Sequence, residues 1–174
     1  MEILAHILGV VGVVVSAISM IMKTKTKVVL LLAVYNLLTL ISYLLLGHFL
    51  SCILVVIAIF RSLTFLLYEV KKIKNNWLVL LSFNIVIICI SIVLWDKWYD
   101  IFLLICTLIF TFTTWQKNVK LIKWGTIICT PLFVTFDILA GAYVYIISEL
   151  AFGISAIVSL ITTKYNSKSK HNDV

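Results

Sequence analysis

Three charged side chains sit inside apolar runs of this sequence: Arg61 in SCILVVIAIFRSLTFLLY, Asp137 in TPLFVTFDILA and Glu149 in YIISELAFG. A cation at the centre of a hydrocarbon layer costs ~2.5–3.5 kcal/mol on insertion scales, so Arg61 requires a partner: an acid, an anion or a wet cavity. Counting ~1.5 Å per helical residue puts Asn36, Arg61 and Asn84 near one midplane level, with Asp137, Glu149 and Tyr43 closer to one face. Two chemistries fit this set. In one, Arg61 pairs with Asp137 or Glu149 and the charges lock helices together. In the other, the same groups line a substrate pathway. There Arg61 is the central anchor and Asn36, Asn84 and Tyr43 supply hydrogen bonds. Asp137 and Glu149 then hold Arg61 or couple protons.

Other chemistry has no visible seat. There is no phosphate loop, GxSxG or HExxH motif, so the expectation is a protein that is not an enzyme and takes no cofactor. His6 and His48 lack partners at metal-ligand spacing, and no metal site is expected. Cys52, Cys89, Cys106 and Cys129 all fall in apolar runs without CxxC spacing and read as packing thiols. Pro131 is the single proline. Inside a helix it removes a backbone donor near Ile127 and Ile128, which predicts a kink; that kink serves either packing or a gating hinge.

The elements that must hold these groups are legible from hydropathy. With 63% hydrophobic residues, 12% charged and a mean hydropathy of +1.19, the chain is too apolar for a soluble domain of its length. Seven segments of bilayer-spanning character follow one another, at 3–22, 28–47, 51–68, 77–95, 101–115, 125–141 and 143–163. None shows the ten-residue alternation of a barrel strand, so the fold class is all-α: a polytopic membrane protein. Residues 3–22 read as a first span and not as a cleaved leader, because apolar runs recur throughout the chain.

Twelve of the lysines lie after spans one, three, five and seven, while the other side has only Lys97. By the positive-inside rule the N-terminus is outside and the C-terminus cytoplasmic. The net charge of +7 is thus spread over juxtamembrane clusters, which suit anionic lipid and argue against a nucleic-acid partner. Trp77, Trp95, Trp98, Trp115 and Trp124 all fall at segment ends, where headgroups favour them. Gly9, Gly12, Ser16 and Ser19 give span one a small-residue face for close helix contact.

Spans two and three, and spans six and seven, are joined by short turns at Gly47 and Gly141. Superposing these turns repeats the hydropathy at an offset of 94 residues. The expected organisation is a triple-helix repeat (1–68), a linker helix with its loops (69–100), a second, parallel triple-helix repeat (101–163) and a mobile polar tail (164–174). This is a 3+1+3 arrangement.

The stretches VYNLLTLISYLLLG, IAIFRSLTFLL, ILAG and SELAFG resemble those of the YgjV-type bacterial inner-membrane proteins over most of the membrane part. The resemblance implies Gly47 closing span two, Arg61 in span three, Ala140 and Gly141 closing span six, and Glu149 in span seven. More distantly the chain is similar to the SWEET, PQ-loop and PnuC transporters. That likeness implies two triple-helix repeats around a solute path. It departs from them in having Pro131 alone, with Leu37 at its repeat position, and in lacking the PnuC-type tryptophan motif. The expectation is a facilitator of a small polar solute working by alternating access, as a monomer or homo-oligomer. The alternative is a membrane subunit or scaffold whose buried charges are structural.

Overall fold

The computed structural model describes the backbone of residues 2–46, 49–73, 76–140 and 143–172; the side chains at 1–6, 43, 46–51, 74–75, 141–145 and 164–174 lie outside the described set. Seven α-helices account for nearly all of it, and no strand occurs among the described residues. They are α1 (Glu2–Ile21), α2 (Lys25–Leu46), α3 (Phe49–Val70), α4 (Trp77–Val93), α5 (Asp100–Trp115), α6 (Val119–Ala140) and α7 (Tyr143–Asn172). Four of them, α2, α3, α6 and α7, are long and apolar enough to cross a membrane; α1, α4 and α5 carry shorter apolar stretches.

Local chemistry sets the helix ends. Asn76 caps α4 through Oδ1, which accepts from Leu78 N at 3.0 Å, and Asn118 does the same for Lys120 N at 2.9 Å ahead of α6. At the far end of α3 the chain turns through Lys72, whose φ of 52° is left-handed. Ile73 N bonds Tyr68 O and Lys72 N bonds Glu69 O, the paired pattern that usually employs glycine. Before α5, the Asp100 carboxylate accepts from Asp96 N and Lys97 N and closes the turn.

The principal contacts of these helices run α1 to α2, α2 to α3, α5 to α6, α6 to α7 and α7 back to α1, and a thinner contact of α3 with α5 completes a ring of six helices. The seventh, α4, packs outside this ring on α5 and α3. The polarity of the bundle is inverted relative to a soluble protein. Phe60 is 62% exposed, while its neighbour Arg61 is 6% exposed; Val93 and Ile147 also stand out, and Ser19, Thr111 and Thr126 are fully buried. Hydroxyls in the core are satisfied locally, Thr111 donating to Thr107 O and Thr126 to Ile122 O. Large exposed apolar faces with polar groups inside are what a lipid solvent selects.

Buried side chains concentrate toward the end of the bundle that carries most of the lysines. One cluster there joins α1, α2, α6 and α7 through Met20, Val28, Leu32, Ile122, Phe152 and Ala156. A second joins α3, α4 and α5 through Phe65, Leu80 and Trp115, with the Phe65 and Trp115 rings 4.8 Å apart. Trp115 is therefore not part of an interfacial belt. It is 2% exposed and packs against Phe65 and Tyr68, whereas Trp77, Trp95, Trp98 and Trp124 are exposed.

Two further expectations are corrected, and α7 runs on into the polar tail as helix to Asn172. Helix α6 begins at Val119 and not near 125, so Lys120 and Lys123 are helical. Of the small residues on α1, Gly12 lies against the Tyr35 ring, which a Cβ there would meet at 3.4 Å, and Ser16 and Ser19 are buried, but a Cβ on Gly9 would meet nothing within 4 Å among the described residues. The thiols are free, and Cys106 and Cys129 sit against each other's backbone carbonyls at 3.6 and 3.7 Å.

Candidate functional site

A cavity of ≈ 220 Å³ lies inside the ring, walled by α2, α3, α5, α6 and α7. Of the residues expected to act together, Asn36, Arg61, Asp137 and Glu149 all line it. Asn84 does not: it sits on α4, outside the ring, half-buried, and its Oδ1 has no hydrogen-bond partner. The expected midplane layer of Asn36, Arg61 and Asn84 therefore loses Asn84, because the depth of a residue says nothing about which way its helix faces. Tyr43 belongs to α2, and its side chain lies outside the described set, as do those of His6 and His48. Pro131 is exposed on the outside of α6, which runs helical through it from Val119 to Ala140.

Arg61 projects from α3 across to α5. Its Nη1 donates to Thr111 Oγ1 at 2.6 Å and, at a longer 3.5 Å, to Thr107 O, and the guanidinium carbon lies 6.0 Å from the centre of the Phe110 ring. Its Nε is buried without a partner among the described residues. Neither acid pairs with it. Within the described residues the ion pair present is a different one, Lys25 to Glu69 at 3.2 Å. The simple network in which Arg61 neutralises Asp137 or Glu149 is thus not what this arrangement contains. The cation is held by hydroxyl, carbonyl and ring, all from α5, and both carboxyl groups face the same cavity from α6 and α7.

The walls between these charges are aromatic. Phe65, Phe110, Phe133, Phe136, Phe152 and Tyr35 line the cavity, and Phe152 packs against both Tyr35 and Phe110. Thr39, Ser62, Thr107 and Thr114 add hydroxyls. The cavity thus sets one cation and two carboxyl groups against an aromatic wall. Its volume falls below the ~300–1,000 Å³ typical of drug-sized pockets.

Two polar ties close the lysine end of the bundle. Lys25, buried at the start of α2, bonds Glu69 on α3 and reaches Trp115 O on α5 at 3.3 Å. Lys123 on α6 donates to Ser159 Oγ on α7 at 2.7 Å. Sequence reasoning grouped both lysines with the juxtamembrane clusters and passed over their partners. It also missed the threonines that hold Arg61, although Thr107, Thr111 and Thr114 recur at helical spacing in TLIFTFTT. Two close approaches went unnoticed as well: a Cβ on Gly125 would fall 2.6 Å from Thr113 Oγ1, and one on Gly153 would fall 2.5 Å from Thr130 Oγ1.

Neither a curated protein nor a solved structure matches the chain. A family model described as bacterial inner membrane protein, Imp-YgjV, matches residues 3–167. That span takes in all seven apolar segments and every residue of the cavity wall, so the chain belongs to the Imp-YgjV family of bacterial inner membrane proteins.

Proposed function

We propose that this inner-membrane protein moves a small polar solute by alternating access, with the ring cavity as its binding site. One observation carries the reading: Asn36, Arg61, Asp137 and Glu149, scattered over four helices, converge on a single cavity in which Arg61 has no acid partner among the described residues. Ionisable groups inside a membrane bundle that face a cavity are by default a hypothesis of a solute or ion pathway.

On this reading α1–α3 and α5–α7 are the two repeats of a 3+1+3 protein and α4 is the linker. The contact pattern supports it. The α1–α7 and α3–α5 contacts are the pair that a two-fold axis between parallel repeats would interchange, and the cavity lies between the two sets. The lysine distribution favours an outside N-terminus, and on that orientation the Lys25 and Lys123 ties stand at the cytoplasmic side. Access from that side requires the Lys25 contacts from α2 to α3 and α5 to part. Asp137 and Glu149 are the candidates for proton coupling, and α6 around Pro131 is the candidate hinge.

The test is solute-dependent thermal stabilisation of the purified protein, screened against pooled sugars, vitamins, nucleosides and amino acids, with Arg61→Gln alongside. A ligand at 100 times its dissociation constant adds ~2.7 kcal/mol to the native state. A hit that the variant abolishes upholds the reading. A second reading, a membrane scaffold, is favoured by the Arg61 to Thr111 bond, which ties α3 to α5 without any solute. Lack of any hit, together with a stable co-purifying partner, selects it.

A further inference from the structure

The charges around the cavity have an order that narrows the solute. Arg61 lies twelve residues into α3 and Glu149 six residues into α7, so their backbones sit at about 18 and 9 Å from the hairpin end. Arg61 reaches across to α5, where it bonds Thr107 O and Thr111 Oγ1. Counting at ~1.5 Å per residue leaves the Arg61 backbone roughly 9 Å deeper than that of Glu149, with Asp137 nearer the end still. Between these levels the wall is aromatic, from Phe110 and Phe152.

The guanidinium has five N–H donors, of which Nη1 alone makes the two bonds present, while the buried Nε has none. A planar fork with donors to spare is the natural seat of a carboxylate. Solute classes can then be ranked by what each would leave unpaired. A simple anion would satisfy Arg61 and face two carboxyl groups. A simple cation would satisfy the acids and leave Arg61 alone in a low-dielectric site. A neutral polyol would leave every charge without a counter-charge, which is the most costly outcome.

Building on the transport reading, we infer that the solute is a small zwitterion with a short apolar stretch between its charges. Its carboxylate meets the free donors of Arg61, its ammonium faces Glu149 and Asp137, and its methylenes lie against Phe110 and Phe152. A cavity of ≈ 220 Å³, smaller than a drug-sized pocket, suits an amino-acid-sized molecule.

The experiment measures thermal stabilisation of the wild-type protein by glycine, 4-aminobutanoate and 6-aminohexanoate, beside butanoate, butylamine, butanamide and glucose. At least one zwitterion is expected to bind about tenfold or more tightly than every matched single-charge or neutral probe, since a site built for two charged ends rejects a molecule lacking one. Arg61→Lys should weaken the zwitterion and leave butylamine unchanged; Glu149→Gln should weaken it and leave butanoate unchanged. If butanoate, butylamine or glucose binds as tightly as the zwitterions and depends on Arg61, the zwitterion assignment is overturned while transport survives. Binding to the folded protein by no probe and by no member of the wider solute pools overturns both. A zwitterion that binds equally well to both variants overturns the placement of its ends.

Discussion

The first three helices and the last three have the same order of turns and apolar runs, yet their polar content is opposite. The first set contributes the cation, Arg61 on α3; the second contributes both acids, Asp137 on α6 and Glu149 on α7. At an offset of 94 residues each charge has an uncharged mate: Arg61 faces Ser155, Asp137 faces Tyr43 and Glu149 faces Val55. The lysine-end ties differ in the same spirit. In the first set the lysine meets a carboxylate, Glu69; in the second it meets a hydroxyl, Ser159. Close packing differs too, with α6 approaching α5 and α7 at Gly125 and Gly153, against the single Gly12 contact with a flexible ring in the first set. The comparison teaches that hydropathy fixes where helices run, whereas a cavity with two electrically distinct sides needs the two sets to diverge at a handful of positions.

The contrast can be broken most sharply at the cation. Thr111→Val removes the 2.6 Å bond to a buried charge and should cost about 1.5–3 kcal/mol, read as the shift in denaturation midpoint of the detergent-solubilised protein. Ser155→Val, at the uncharged mate, should cost far less, because that hydroxyl bonds only Ala151 O in its own helix. Equal losses would mean that Arg61 does not depend on α5.

Glycine substitutions probe the packing difference. Gly125→Ala and Gly153→Ala force a methyl onto the β-branched Thr113 and Thr130 and should each cost ~1–3 kcal/mol. Gly9→Ala, with open space around it, should be neutral or slightly stabilising through helix propensity. A large loss at Gly9 would show that α1 meets a partner chain there.

The lysine-end ties come next. Glu69→Gln leaves Lys25 with the Trp115 carbonyl alone and should cost ~1–2 kcal/mol, softened because Glu69 is 28% exposed. If the Lys25 tie is also a gate, the same variant should raise labelling of a cysteine introduced at Val29 by a cytoplasmic-side thiol reagent. Ser159→Ala should leave that labelling unchanged, since Lys123 and Ser159 tie α6 to α7 within one set. The smallest effect lies at a turn outside both sets: Lys72→Gly relieves a left-handed residue and should gain roughly 0.5–1 kcal/mol in the same denaturation assay.

Much of the architecture was legible before any coordinates. The seven helices fall in the expected order, and the ends of α4 and α5 agree within a few residues, because long apolar runs broken by lysines, Asn76 and Asn118 admit few other readings. The errors share a cause. Lys120 and Lys123 read as loop from their polarity, yet an i to i−4 backbone ladder continues through polar residues once a helix has begun. Trp115 read as interfacial from its place at a segment end, when the inward turn of α5 buries it against Phe65.

The sequence alone determined that this chain is a helical membrane protein and that Arg61, Asp137 and Glu149 must turn inward, since lipid offers nothing to solvate them. The tertiary structure decided which of the polar residues meet. Depth follows from counting along one helix, but azimuth follows from the packing of six helices into a ring. It is azimuth that brought Asn36 to the cavity, left Asn84 outside it, and gave Arg61 to Thr111 in place of an acid.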